Sequence, residues 1–110
     1  MIYEPGDLVL IPFPFSDFAI NKKRPVLILT LPDRYEDFIG LAVTSTPMQE
    51  AALPLNTASM LQGLLPKPSW VRLDKVYTLD TGTVIRSLGK VTPSFLTMVL
   101  QGFCHTVGFS

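Results

Sequence analysis

Arg24-Pro25-Val26-Leu27-Ile28-Leu29 is an apolar run entered through a proline corner and closed a few residues on by Pro32-Asp33. It is too short for a helix and is bounded by turn formers, so it reads as a central β-strand with Arg24 at its mouth. Upstream, Pro5-Gly6-Asp7 signals a turn, and Leu8-Val9-Leu10-Ile11 behind it predicts a first strand starting near Asp7. Pro12 and Pro14 have no N–H to give a ladder, so that strand ends there or runs on as an edge with Phe13 and Phe15 alternating. Ser16 to Lys23 is then a polar loop. Downstream, Phe38 to Val43 predicts a third strand that delivers Thr44-Ser45-Thr46 before Pro47 stops it.

The pattern blurs over residues 48–68. The expectation there is a short helix around Ala58 to Leu61 and at best a brief strand at Leu53-Pro54-Leu55. Trp70-Val71-Arg72-Leu73, Val76-Tyr77-Thr78-Leu79 and Val84-Ile85-Arg86 read as further strands, the last entered through an Asp80-Thr81-Gly82-Thr83 turn. Thr92 followed by Pro93 is an N-cap with proline at the first helical position. Leu96, Val99, Leu100 and Phe103 then recur at helical spacing, giving a C-terminal amphipathic helix that ends near Gly108. The fold class expected is mainly β with appended helix, in a single domain over residues 1–110.

Charged residues make up 16% of the chain against roughly 25% in an average soluble domain. A small domain with surplus apolar surface commonly covers it with a second copy, so a homodimer is expected. Net charge is zero, yet residues 1–60 carry four basic and seven acidic side chains and 61–110 five basic and two acidic. With a pI near 6.5, any nucleic-acid interface has to be local. One cysteine excludes an intrachain disulfide and a cysteine-cluster metal site and fits a reducing cytoplasm. No apolar run is long enough to span a membrane, and Met1 to Asp7 does not read as a signal peptide, so no membrane association is expected.

Absent motifs remove most enzyme classes, since there is no phosphate-binding glycine loop and no HExxH. His105 sits in the last turn of the final helix, where a histidine near the carbonyl end is commonplace. Cys104 beside it points about 100° away around the helix, so the two do not form a nucleophile–base pair. Asp33, Glu36 and Asp37 read as a solvated turn rather than a cation site. The run Lys22-Lys23-Arg24-Pro25 is the richer feature, because three cations converge on a strand mouth where the proline restricts Arg24.

The chain resembles the MazF/PemK-type toxins of toxin–antitoxin systems. The matching pieces are Gly6-Asp7-Leu8-Val9, Arg24-Pro25-Val26-Leu27-Ile28-Leu29, Ala42-Val43-Thr44-Ser45, Val71-Arg72-Leu73-Asp74-Lys75 and Ile85-Arg86-Ser87-Leu88-Gly89-Lys90, in that order over most of the chain. The resemblance implies an SH3-like barrel of the CcdB/PemK type, a homodimer, a cognate antitoxin partner and metal-independent cleavage of single-stranded RNA through attack by its own 2′-hydroxyl, with no cofactor. Carried over, the catalytic pair is Arg24 and Thr44. Lys22, Lys23, Phe18, Ser45, Arg72, Lys75 and Arg86 are substrate-binding candidates, and Lys90 is a further cation that would track the RNA backbone. Asp17-Phe18-Ala19-Ile20-Asn21-Lys22-Lys23 replaces the glycine-rich loop of better-studied members. Two rival functions keep a barrel fold. A CcdB-like gyrase poison would need a Trp-Gly-Ile sequence near the C-terminus, where this chain has Val107-Gly108-Phe109; a non-catalytic barrel would bind RNA without cutting it.

Overall fold

A computed structural model describes residues 2–12, 22–47 and 50–109. Phe13, Phe15, Phe18 and most of the first loop lie outside the described residues. Glu4-Pro5-Gly6-Asp7 forms a type II turn: the Asp7 N–H donates to the Glu4 carbonyl at 3.1 Å, Pro5 takes the second position, and Gly6 takes the third at φ 97°. The turn launches β1 (Asp7–Pro12), followed by β2 (Lys23–Ile28), β3 (Asp37–Thr44), β4 (Ala52–Leu55), a 3₁₀ turn at Thr57–Ser59, β5 (Met60–Gln62), β6 (Ser69–Asp80), a second 3₁₀ turn at Thr81–Thr83, β7 (Arg86–Val91) and α1 (Pro93–Thr106).

The strands form one antiparallel sheet in the order β4-β6-β3-β2-β1-β7-β5. The sheet curls into a half-barrel with α1 at its C-terminal end, in keeping with the mainly β fold and C-terminal helix expected from the sequence. The central strands β1, β2 and β3 are apolar at both odd and even positions, because both faces are covered. Leu8, Leu27, Leu41 and Val43 face a core completed by Val71, Leu73 and the helix residues Phe95 and Val99. Val9, Ile11, Val26, Ile28 and Phe38 face the other way and pack beneath Tyr3, Tyr77, Leu79 and Val84.

Strand β6 serves both cores because its register against β3 is broken. Leu41 pairs with Val76 and Val43 with Val71, so β3 advances two residues while β6 advances five. An odd surplus reverses which face each side chain takes. Val71 and Leu73 therefore join the helix-covered core, whereas Tyr77 and Leu79, of the same parity, join the opposite one.

Four expectations need correction. Trp70-Val71-Arg72-Leu73 and Val76-Tyr77-Thr78-Leu79, expected as separate strands, belong to the single strand β6, whose register step takes the place of a break. The helix around Ala58 to Leu61 shrinks to the 3₁₀ turn capped by Asn56, and Met60–Gln62 is a strand, because pairing with β7 overrides local preference. Val84-Ile85-Arg86 is not a strand, although the Ile85 N–H still donates to Leu10 at 2.8 Å; β7 begins at Arg86 and runs through Gly89. In α1 the buried stripe runs through Phe95 and Val99, and Leu100 is 38% exposed.

Glycine is required where β5 meets β7. Gly89 has φ 146°, and a Cβ on it would lie 2.2 Å from the Gln62 carbonyl oxygen; a Cβ on Gly63 would lie 2.3 Å from that of Leu88. Both obstacles are backbone, which cannot rotate away. Gly89→Ala is expected to lower stability by about 2 kcal/mol or more in urea unfolding, from strain and lost β5–β7 pairing. Gly108→Ala, with no atom near its Cβ position, carries only the strain of φ 86° and should cost less.

Candidate active site at the strand ends

Two sequence features bear on where Arg24 and Thr44 lie. Val26 pairs with Ala42 across β2 and β3, and the ladder stops there because Pro25 has no N–H to donate. That register, extended two residues past its last pair, would bring Arg24 level with Thr44; by alternation Arg24 shares the face of Val26 and Ile28. On its other side Arg24 pairs with Ile11. Thr44 is the last residue of β3, and its Oγ1 accepts the Thr46 N–H at 3.1 Å, a turn that ends the strand and places Ser45 and Thr46 in solvent. Because the oxygen accepts there, the hydroxyl proton of Thr44 remains available to donate elsewhere. Arg24 is half-buried and has no ion pair among the described residues.

The same row continues into β6, where Trp70 pairs with Thr44, and on to β4, where Pro54 pairs with Trp70. The sequence carries no signal for the place of Trp70 in this row, because no pattern within the chain reveals which face a residue takes on a strand that changes face. Arg72 lies one step further in on this side, but its guanidinium is held by Asp74 in a two-point contact, Nε to Oδ1 at 3.1 Å and Nη2 to Oδ2 at 2.9 Å. That bond holds the Asp74 carboxyl below its ordinary value, and the nearby Arg72 charge adds to the effect. Arg72 therefore presents a largely neutralised group.

The remaining candidates spread out. Lys22 and Lys23 are exposed just ahead of Arg24, and Lys23 pairs with Pro12. Lys75 is exposed at the step in β6. Arg86 is exposed opposite Leu10, whose position on β1 alternates away from Ile11, so it projects from the face opposite Arg24. Phe18 is outside the described residues. Lys90 is a structural cation: it pairs in register with Asp7, its Nζ contacts Asp7 Oδ1 at 3.0 Å, and it also bonds the Glu4 carboxylate. The Glu4 hydrogen bond raises its pKa most, partial burial opposes this, and Asp7 adds to the rise.

His105 is exposed in the last turn of α1, and Cys104 is half-buried beside it. Asp33 Oδ1 accepts the N–H groups of Tyr35 at 2.8 Å and Asp37 at 3.0 Å, which makes it the organiser of a turn. Among the described residues no three His, Cys, Asp or Glu side chains are grouped to hold a metal ion.

This curled half-barrel recurs in solved toxin structures. The toxin MazF-mt6 of Mycobacterium tuberculosis superposes with a TM-score of 0.74 at 19% identity, covering 94% of this chain and 98% of that one. A MazE–MazF structure from Deinococcus radiodurans gives 0.75 at 18%, covering 100% and 99%. An endoribonuclease in complex with its cognate antitoxin, from a mycobacterial species, gives 0.74 at 15%, covering 98% and 95%. No curated protein matches the sequence. Residues 4–107 match the model of the PemK-like, MazF-like toxins of type II toxin–antitoxin systems, and the chain belongs to that family.

The Lys90 cluster gives a stability prediction. Because the Lys90 pKa is raised on folding, its contribution is complete below the ordinary lysine value of 10.5 and is lost as pH climbs through the higher folded value. Lys90→Met should cost on the order of 2 kcal/mol near neutral pH, as expected for hydrogen bonds between charged groups. The gap between wild type and variant should then narrow above about pH 10.5 in urea melts.

Proposed function

We propose that the chain is a toxin that cleaves single-stranded RNA by attack of a 2′-hydroxyl on the adjacent phosphodiester, without a metal cofactor. The observation that supports this reading is an arginine without an ion pair among the described residues at the mouth of β2, next to the strand β3 whose last residue is the hydroxyl-bearing Thr44. That attack passes through a phosphorane bearing extra negative charge on its non-bridging oxygens. A fixed guanidinium and a hydroxyl donor aimed at those oxygens bind the phosphorane more tightly than the ground-state diester. Arg24 supplies the charge and fork geometry, and Thr44 supplies the donor. Guanidinium stays protonated below about pH 12, so Arg24 stabilises charge and a different group accepts the 2′-proton.

Lys22 and Lys23 extend the positive field along the strand mouth and would hold the RNA backbone. The proposed assembly is a cytoplasmic homodimer, supported by apolar side chains that α1 and its C-terminal end leave exposed, among them Met98, Val107 and Phe109. The proposed protein partner is a cognate antitoxin, whose binding would cover Arg24.

Purified protein incubated with a long single-stranded RNA in excess EDTA should cut it. Arg24→Ala and Thr44→Ala should each slow cutting by about 10²–10³-fold with melting profiles retained, and Thr44→Ser should keep much of the rate. Intact RNA with wild type overturns the nuclease reading; cutting abolished by EDTA overturns the metal-free mechanism; an undiminished Arg24 variant overturns the site.

A further inference from the structure

A cavity of about 310 Å³ opens between the end of β4, the 3₁₀ turn and the segment leading into β6, with Trp70 and Pro54 of the Thr44 row in its lining. Trp70, Met60, Leu64 and Pro68 give it an apolar lining, and Asn56 and Lys67 bring polar groups to it. Its size is at the small end of ligand pockets, which run from about 300 to 1,000 Å³, and suits one nucleobase and its sugar. Trp70 links the cavity to the proposed catalytic pair, because it is one of the lining residues and pairs with Thr44 at the end of β3, while Leu55 and Met60 in the same lining belong to the helix-covered side. Partners in an antiparallel pair have Cα atoms only about 5 Å apart.

Two of the polar side chains in the lining, Asn56 and Lys67, present donors to it. Asn56 Oδ1 is occupied by the Ala58 N–H at 3.0 Å and the Ser59 hydroxyl at 3.3 Å, which fixes the amide and leaves its NH₂ without a partner among the described residues. Lys67 carries only donors and has no ion pair among the described residues. Such donors bond the O4 of uracil or the O6 of guanine and meet another donor where cytosine and adenine carry their N4 and N6 amino groups at the same edge position.

We propose that this cavity seats the base beside the scissile phosphate, with the Trp70 indole as stacking platform and Asn56 and Lys67 selecting a keto base, uracil or guanine, at that position. The proposal rests on the RNA-cleaving reading above and adds a specificity pocket to it. An aromatic face and edge donors are the usual means by which proteins read splayed single-stranded bases.

Trp70 is the sole tryptophan of the chain, so its fluorescence reports the pocket directly. Non-cleavable 2′-O-methyl oligouridylate and oligoinosinate should quench it on binding, and oligocytidylate and oligoadenylate should bind more weakly and quench less. In fluorescence anisotropy with labelled oligouridylate, Trp70→Ala should weaken binding about tenfold or more. Asn56→Ser retains an N-cap oxygen for the 3₁₀ turn but removes the amide donors, so it should reduce the preference for keto bases while the melting temperature holds. RNA cutting by wild type together with unquenched Trp70, or with equal affinity for all four oligomers, overturns the pocket and leaves the nuclease reading standing. Failure to bind or cut any RNA overturns both.

Discussion

Between Leu41–Val76 and Val43–Val71 the long strand β6 gains three residues on β3, and that odd surplus is the constraint on which the rest of the architecture depends. Without it, Val71, Leu73, Tyr77 and Leu79 would all face one side, and one of the two cores would lose its β6 contribution. With it, a single strand closes the helix-covered core at one end and the opposite core at the other. Bulges also increase local twist, and a sheet this strongly curled needs them. A one-residue bulge between β1 and β7 does related work at the other side: Leu8 pairs with Gly89 and Val9 with Ser87, which leaves Leu88 over to pack on the helix-covered core.

The same step places the candidate site. Because β6 changes face, Trp70 lies in the Thr44 row while Tyr77 packs far along the sheet. Pro25 acts in concert by ending the β2–β3 ladder at Val26, so the strand mouth has no hydrogen-bonded neighbour to hold Arg24 flat against β3. Arg24 and Thr44 thus both lie at strand ends on the sheet margin, rather than in the middle of the sheet, where both faces are buried. Two other cations are committed to structure: Lys90 ties β7 to the Glu4–Asp7 turn, and Asp74 holds Arg72.

How much of this was legible in the sequence follows from the range of the interactions involved. β1, β2, β3 and α1 are local in origin, specified by apolar runs between prolines and glycines and by the Thr92-Pro93 cap, and all four stand where the sequence places them. Arg24 and Thr44 were legible as strand ends for the same reason. Residues 52–62 were not, because β4 and β5 are short edge strands whose pairing with β6 and β7 comes from distant parts of the chain. The Ala58 region carries a helical preference that its own 3₁₀ turn satisfies in a single turn. The place of Trp70 in the Thr44 row was unreadable because alternation counted from either half of β6 gives the wrong face for the other half.

What distinguishes Arg24 from the other cations is isolation at a protected position. Lys90 and Arg72 are as well anchored, but each has a carboxylate partner whose negative charge would oppose an incoming phosphate. Lys22, Lys23 and Lys75 are exposed, where water and salt screen them. Arg24 is half-buried and without an ion pair among the described residues, so its field is less screened and less cancelled. An unpaired, partly buried guanidinium is a cost to folding that packing alone does not explain. An anionic group docking against it, whether a phosphate or an acidic segment of a partner, would relieve that cost, and competition between these two anions for one cation is a direct physical route to inhibition.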